Sequence, residues 1–230
     1  MMVNEFQEIL NLKWGPIKYE KISFGGSLKM TNHDFPYSIS EDEFIFLKNL
    51  IIENNLKNGF ECATGFGVSS VAIGLGMKET NGKLVTMDSY VEEYVNHPHS
   101  YENFTSNTYK DMDGYKSASY LIEHFRLKDT VFPEVGWSPI DINKSISNHI
   151  TEKLDFVFLD SGHFPELLIK EIDTIFDLLS TNFIIAFHDT YPNFFDHNIV
   201  NYIENKLGAK IENGVQYPRG ENLTILKKIK

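Results

Sequence analysis

Long apolar runs and paired cysteines are missing from this sequence of 230 residues. No apolar stretch approaches the ~20 residues that span a bilayer, and the N-terminal MMVNEFQE carries acids where a signal peptide needs Lys or Arg. The single cysteine, Cys62, cannot form an internal disulfide, as is typical of proteins from a reducing compartment. We therefore expect a soluble, cytoplasmic protein without a membrane partner.

Positive charge is also scarce. The sequence has 21 Lys and Arg against 32 Asp and Glu, which gives a net charge of −11. Such a surface argues against binding to nucleic-acid backbone or anionic lipid and favours a small-molecule partner. Internal repeats and linkers are absent as well, so the length predicts one domain over 40–230, preceded by an irregular cover segment over 1–39. A homodimer is compatible with these features.

The most informative stretch is GFECATGFGVSS, residues 59–70. A short apolar segment passes through Glu61 into small residues and then opens a helix at Ser69, which predicts a strand, a tight turn and a helix start. Small residues let a ligand approach the main chain, and the first N–H groups of the helix face that ligand. The turn therefore indicates a nucleotide-like ligand.

Two acids refine this interpretation. Glu61 precedes the turn, where its carboxylate would repel a pyrophosphate but suit the ammonium group of an amino-acid-like cofactor. Asp88 ends the next predicted strand, KLVTMD, at about the distance from the glycines at which an acid binds ribose hydroxyls. The pair indicates a cofactor that is both an amino acid and a nucleoside.

Two further apolar strands end in polar side chains. LDFVFLD ends at Asp160, with His163 three residues later, and NFIIAFHD ends at His188 and Asp189. In an open parallel sheet, ligands bind beyond the carboxyl ends of the strands, so these side chains should gather with Glu61 and Asp88. One interpretation is functional. The other is that the acids cap helices and the histidines satisfy buried backbone groups.

Together these motifs resemble class I S-adenosylmethionine-dependent methyltransferases, and the last two are similar to a small Rossmann-like branch of them. The resemblance covers residues 56–190 and implies an α/β fold, a three-layer Rossmann-like sandwich whose seven-stranded sheet is mostly parallel with an antiparallel last strand. It implies transfer of a methyl group from S-adenosylmethionine, with O-methylation of a small molecule (a sugar or natural-product hydroxyl) preferred. The implied cofactor-binding residues are Glu61, Ala63, Thr64, Gly65, Gly67, Ser69, Asp88, Ser138 and Asp160.

The catalytic residues implied are His163, as general base for the acceptor hydroxyl, and Asp160. Asp160 and Asp189, with His188, are candidate ligands of Mg²⁺ or another divalent cation. Two departures from the family bear on these expectations: Ala63 replaces the first glycine, and His188-Asp189 stands where many metal-dependent members have Asp-Asn. The competing interpretations are an NAD-dependent oxidoreductase and a cofactor-binding protein without turnover.

Overall fold

A seven-stranded sheet forms the centre of the computed structural model, which describes residues 5–11, 23–24, 28–29, 39–89, 114–162, 164–190, 195–216 and 222–228. The elements in chain order are α1 (Glu5–Asn11), β1 (Ser23–Phe24), β2 (Leu28–Lys29), α2 (Glu41–Glu53), β3 (Asn58–Cys62), α3 (Val68–Thr80), β4 (Lys83–Asp88), α4 (Gly114–His124), β5 (Val131–Val135), α5 (Ile142–Ser147), β6 (Leu154–Leu159), α6 (Pro165–Phe176), β7 (Leu179–Phe187), α7 (His197–Leu207), β8 (Lys210–Gln216) and β9 (Asn222–Lys228).

The strand order in this sheet is β5-β4-β3-β6-β7-β9-β8, and β1 pairs separately with β2. Strands β3 to β7 pair in parallel, whereas β9 is antiparallel to both of its neighbours, β7 and β8. This topology confirms the predicted mostly parallel sheet with an antiparallel last strand. Pro133 lies in β5 at the edge of the sheet, where a missing backbone donor is tolerated.

Helices cover both faces of the sheet and enclose two apolar cores. Successive side chains of a strand point to opposite faces, so Phe156 and Phe158 pack toward α2, α3 and α4. Val157 and Leu159, between and after them, pack toward α5, α6 and α7. This accounts for the uninterrupted apolar sequence of β6, because both of its faces are buried.

Helix α2 begins with a capping box formed by Ser40 and Glu43. The backbone N–H of Ser40 donates to Glu43 Oε2 at 2.7 Å, and the backbone N–H of Glu43 donates to Ser40 Oγ at 3.3 Å. Within the predicted irregular cover segment, the structure shows the helix α1. It packs on α2 through an edge-to-face contact between Phe6 and Phe44, with ring centroids 5.6 Å apart.

In the described part of the chain, none of the helices combines the length and apolar character needed to cross a bilayer. The predicted general base, His163, lies outside the described residues, as does most of the loop 89–117 that follows β4.

Candidate functional site

The turn between β3 and α3 contains two glycines with left-handed backbone conformations. Gly65 has a φ of +52° and Gly67 a φ of +91°, a region that side chains disfavour. A Cβ added to Gly67 would lie 2.7 Å from the Cα of Ala118, so α4 packs tightly against the turn at this point. A Cβ added to Gly65 would meet no described atom within 4 Å. The turn thus leaves space beside Gly65 through which a ligand can approach the main chain.

Asp88 reaches this turn from the end of β4. The backbone N–H of Gly65 donates to Asp88 Oδ2 at 2.9 Å, and the Asp88 side chain is nearly buried. The hydroxyl oxygens of Thr64 and Thr86 are 2.6 Å apart and also join the turn to β4. Asp88, the acid predicted to bind the ribose hydroxyls, therefore lies beside the glycine turn.

Glu61 lies beneath the turn and is fully buried. It points toward α3, where the Ser70 hydroxyl donates a hydrogen bond to its Oε2. Its other oxygen, Oε1, has no hydrogen-bond partner within the described part of the chain. Burial raises the pKa of Glu61 to about 7, and hydroxyl groups on α3 and β4 oppose this rise only in part. Within the described part of the chain, Oε1 of Glu61 is thus available to accept a hydrogen bond from a ligand. The carboxyl changes its charge near neutral pH.

A second turn, residues 136–141, follows β5. The backbone N–H of Gly136 donates to the carbonyl oxygen of Asp88 at 2.9 Å, so this turn also contacts the end of β4. The hydroxyl of Ser138 donates to Oε1 of Glu171, a buried residue of α6. The side chain of Trp137 is about half exposed. The structure thus places Ser138 at the carboxyl edge, but with its hydroxyl already engaged by Glu171.

His188 occupies the centre of an acidic cluster at the ends of β6 and β7. Its Nδ1 lies 3.0 Å from Asp160 Oδ1 and 3.5 Å from Asp189 Oδ1, and its Nε2 lies 3.2 Å from Glu43 Oε1. Burial alone would lower the pKa of this imidazole, but the surrounding carboxylates outweigh burial and hold it well above its usual value. The contacts with three carboxyl groups therefore favour the protonated form of His188.

The same cluster has a donor set that suits a divalent cation. Three side chains each offer one ligand atom, and these atoms lie within 4.8 Å of one another: Asp160, His188 and Asp189. Carboxylate oxygens are preferred by Mg²⁺, and a carboxylate on the far nitrogen of a ligating histidine is a common supporting contact. Glu43 can accept from Nε2–H and leave Nδ1 bare for a metal, provided that the imidazolium first loses its Nδ1 proton.

Every described residue of the predicted site lies at or next to the carboxyl edge of the sheet. These residues are Glu61, Ala63, Thr64, Gly65, Gly67, Ser69, Asp88, Ser138, Asp160, His188 and Asp189. Two further carboxyls, Glu43 and Glu171, contact the predicted site residues His188 and Ser138 and were not predicted. Both are carboxylates on the buried, apolar face of a helix. A charged residue at a position where the helical pattern predicts an apolar one is the sequence feature that could have identified them.

Comparisons with known proteins agree with this geometry. A family model described as a methyltransferase domain matches residues 60–190. No curated protein matches the chain significantly.

Solved structures share the fold at low sequence identity. An O-methyltransferase from Bacillus cereus in complex with SAH has a TM-score of 0.58 and 18% identity, covering 85% of this chain and 84% of its own. The O-methyltransferase TomG from Streptomyces achromogenes, in complex with SAM, has a TM-score of 0.58 and 16% identity, covering 84% and 82%. The SAH-bound Podospora anserina methyltransferase PaMTH1 has a TM-score of 0.55 and 14% identity, covering 84% and 80%. At these identities the likeness shows the fold.

Proposed function

The chain belongs to the methyltransferase domain family, and we propose that it transfers a methyl group from S-adenosylmethionine to a hydroxyl oxygen of a small molecule. Structural neighbours that are O-methyltransferases, bound to SAM or SAH, support this choice of cofactor and acceptor atom. The net charge of −11 favours a small acceptor over a nucleic acid or a membrane surface.

The observation that carries the proposal is the arrangement of Glu61, Gly65 and Asp88 around one turn. Asp88 lies against the turn for ribose hydroxyls. Among the described residues, none fills the space beside Gly65 and none is hydrogen-bonded to Oε1 of Glu61, which leaves that oxygen for an ammonium group. A pyrophosphate at this turn would meet the Glu61 carboxyl and would gain nothing from it. The arrangement therefore favours an amino-acid nucleoside over a nicotinamide dinucleotide.

The acceptor side of the site is assigned to the ends of β6 and β7. His163 follows Asp160 by three residues in the sequence, and we assign it the role of general base because imidazole titrates nearest neutral pH. Asp160, Asp189 and His188 would hold a divalent cation where one is used. A bound cation would lower the pKa of the acceptor hydroxyl and orient it. The protein's main contribution is to align the acceptor oxygen with the methyl group.

Isothermal titration with S-adenosylmethionine, S-adenosylhomocysteine and NAD tests the cofactor. We expect the two sulfur compounds to bind and NAD not to bind; binding of NAD alone would overturn the proposal. Transfer of a labelled methyl group to a panel of catechol, sugar and polyketide hydroxyls then tests turnover. Cofactor binding without transfer to any acceptor, unchanged by His163→Ala, would instead identify a binding protein.

The need for a cation is tested separately, by assaying methyl transfer with Mg²⁺ and with EDTA. If Asp189 is a ligand, Asp189→Asn should weaken the response to Mg²⁺. The matched control is Asp173→Asn, because Asp173 lies on α6 and pairs with Lys206 on α7 at 2.7 Å. Activity that is equal with Mg²⁺ and EDTA would exclude the cation from the proposal.

A further inference from the structure

Glu171 is a carboxyl in a position built for an apolar side chain. It lies on the face of α6 that also buries Leu168, Ile172 and Ile175, and it is fully buried itself. Burying a carboxyl is unfavourable unless its oxygens are hydrogen-bonded. Only one of them has a hydrogen-bond partner in the described part of the chain, because Oε2 has none. Apolar packing of α6 therefore does not explain why a carboxyl occupies this position.

The partner of the other oxygen lies in the turn after β5. Ser138 Oγ donates to Glu171 Oε1, and burial raises the pKa of the Glu171 carboxyl although the hydroxyls of Ser138 and Ser161 oppose that rise. The Cys62 thiol, at the end of β3, also has a raised pKa, first through burial and then through the nearby Glu171 carboxyl. Glu171 therefore lies below the end of β3, where the strand order of the sheet reverses and ligands of such sheets bind.

Three of the hydrogen bonds that fix the turn contacted by Glu171 hold its start, its end and its middle. Gly136 N–H donates to the Asp88 carbonyl at 2.9 Å, and Trp137 N–H donates to Asp141 Oδ2 at 2.9 Å. These two contacts hold the start of the turn to β4 and to its own end. The contact from Ser138 to Glu171 is the third, and it ties the middle of the turn to α6.

We propose that Glu171 is a positioning residue: through Ser138 it fixes the turn 136–141 and thereby sets the affinity of the site for the nucleoside half of the cofactor. This inference rests on the proposed function, because it assumes an adenosine-containing cofactor. Glu171 acts through Ser138 and need not touch the ligand.

The test compares Glu171→Leu with Glu171→Gln in the full-length protein, using 5′-methylthioadenosine as the nucleoside probe and S-adenosylhomocysteine as the whole ligand. Leucine removes the carboxyl and packs with its apolar neighbours, so the midpoint of thermal unfolding should stay the same or rise. Affinity for 5′-methylthioadenosine should nevertheless fall about three- to tenfold, the range of one hydrogen bond. Glutamine retains an acceptor for Ser138 and should restore most of that affinity.

Two further variants separate positioning from a general structural effect. Ile175→Val, one turn along the same buried face of α6, should lower the unfolding midpoint by about 2 °C while leaving nucleoside affinity unchanged. Ser138→Ala combined with Glu171→Leu should bind no more weakly than either single variant, because both remove one contact. In turnover assays, Glu171→Leu should raise KM for S-adenosylmethionine and leave kcat within about twofold.

The outcomes are distinct. Wild-type affinity for 5′-methylthioadenosine in Glu171→Leu would overturn the inference and leave the proposed function intact. A fall in affinity that accompanies a lower unfolding midpoint, and that glutamine does not restore, would also overturn it, because the role would then be structural. Failure of the wild-type protein to bind either probe would refute the proposed function, and this inference with it.

Discussion

The charge state of Glu61 should control cofactor affinity near neutral pH. Its pKa is raised to about 7 by burial, so its carboxyl is largely protonated at pH 6 and largely ionised at pH 8. An ammonium group beside Oε1 favours the ionised form. If only that form binds S-adenosylmethionine well, ionisation of Glu61 should lower the dissociation constant about tenfold between pH 6 and pH 8, measured relative to Glu61→Gln. Binding at pH 6 should release close to one proton.

The same pKa makes a prediction for the ligand-free protein. A carboxyl whose pKa rises on folding contributes stability below its unfolded-state value, and that contribution is lost as the pH rises through the folded-state value. For Glu61 these values are 4.5 and about 7, and the difference corresponds to about 3 kcal/mol. Glu61→Gln removes the charge, so it should stabilise the free protein by up to ~3 kcal/mol at pH 8 and little at pH 4.

Calorimetry in buffers of different ionisation enthalpy measures both the affinity and the proton release. The ligand's own α-amino group also loses its proton near pH 8. Glu61→Gln is the control, because in this variant only the α-amino group contributes to the pH dependence of binding. The variant should bind S-adenosylmethionine more weakly than the wild type at pH 8, with little gain from pH 6 to pH 8. Equal pH dependence in the two proteins would refute an interaction between the Glu61 carboxylate and the ammonium group.

Three other substitutions test the framework of the site by urea unfolding. Ser40→Ala should lower the free energy of unfolding by about 1 kcal/mol, because it removes the side-chain cap of α2; no change would show that Glu43 holds the helix end alone. Gly67→Ala should lower it by at least about 2 kcal/mol, given a φ of +91° and a Cβ 2.7 Å from Ala118 Cα; a neutral result would contradict that close approach. His188→Gln should lower it by about 3 kcal/mol at pH 6, since buried carboxylates lose their imidazolium. That loss should shrink as the pH rises through the raised pKa of the histidine, and an equal loss at pH 6 and pH 10 would refute its protonation.

Local sequence signals predicted the strands of the main sheet and the edge at which the candidate residues lie, but not the helices α1 and α5. Apolar runs that end in acids, such as the one ending at Asp160, identify buried parallel strands, and the parallel order brings their ends together. Contacts between distant segments were not predictable in this way. Glu43 is visible in the sequence as half of a capping box, but its contact with His188 spans 145 positions and depends on how α2 packs over β7. In the sequence, Glu171 is one acid in a predicted helix. Its contact with Ser138 depends on how α6 packs against the turn after β5.

Glu61 and Glu171 lie on opposite faces of β3, and each is assigned to a different half of the proposed ligand. Residues 61 and 62 are adjacent in β3, so their side chains point to opposite faces of the sheet. Glu61 faces α3, where Ser70 contacts it, whereas Cys62 faces α6, where Glu171 lies. The two buried carboxyls are thus separated by the sheet while both lie below its carboxyl edge. In the proposed complex, Glu61 on the α3 side supplies a charge for the amino-acid group, and Glu171 on the α6 side fixes the turn 136–141 for the nucleoside. The alternation of the strand keeps these two requirements apart, because adjacent residues of β3 place their side chains on opposite faces of the sheet.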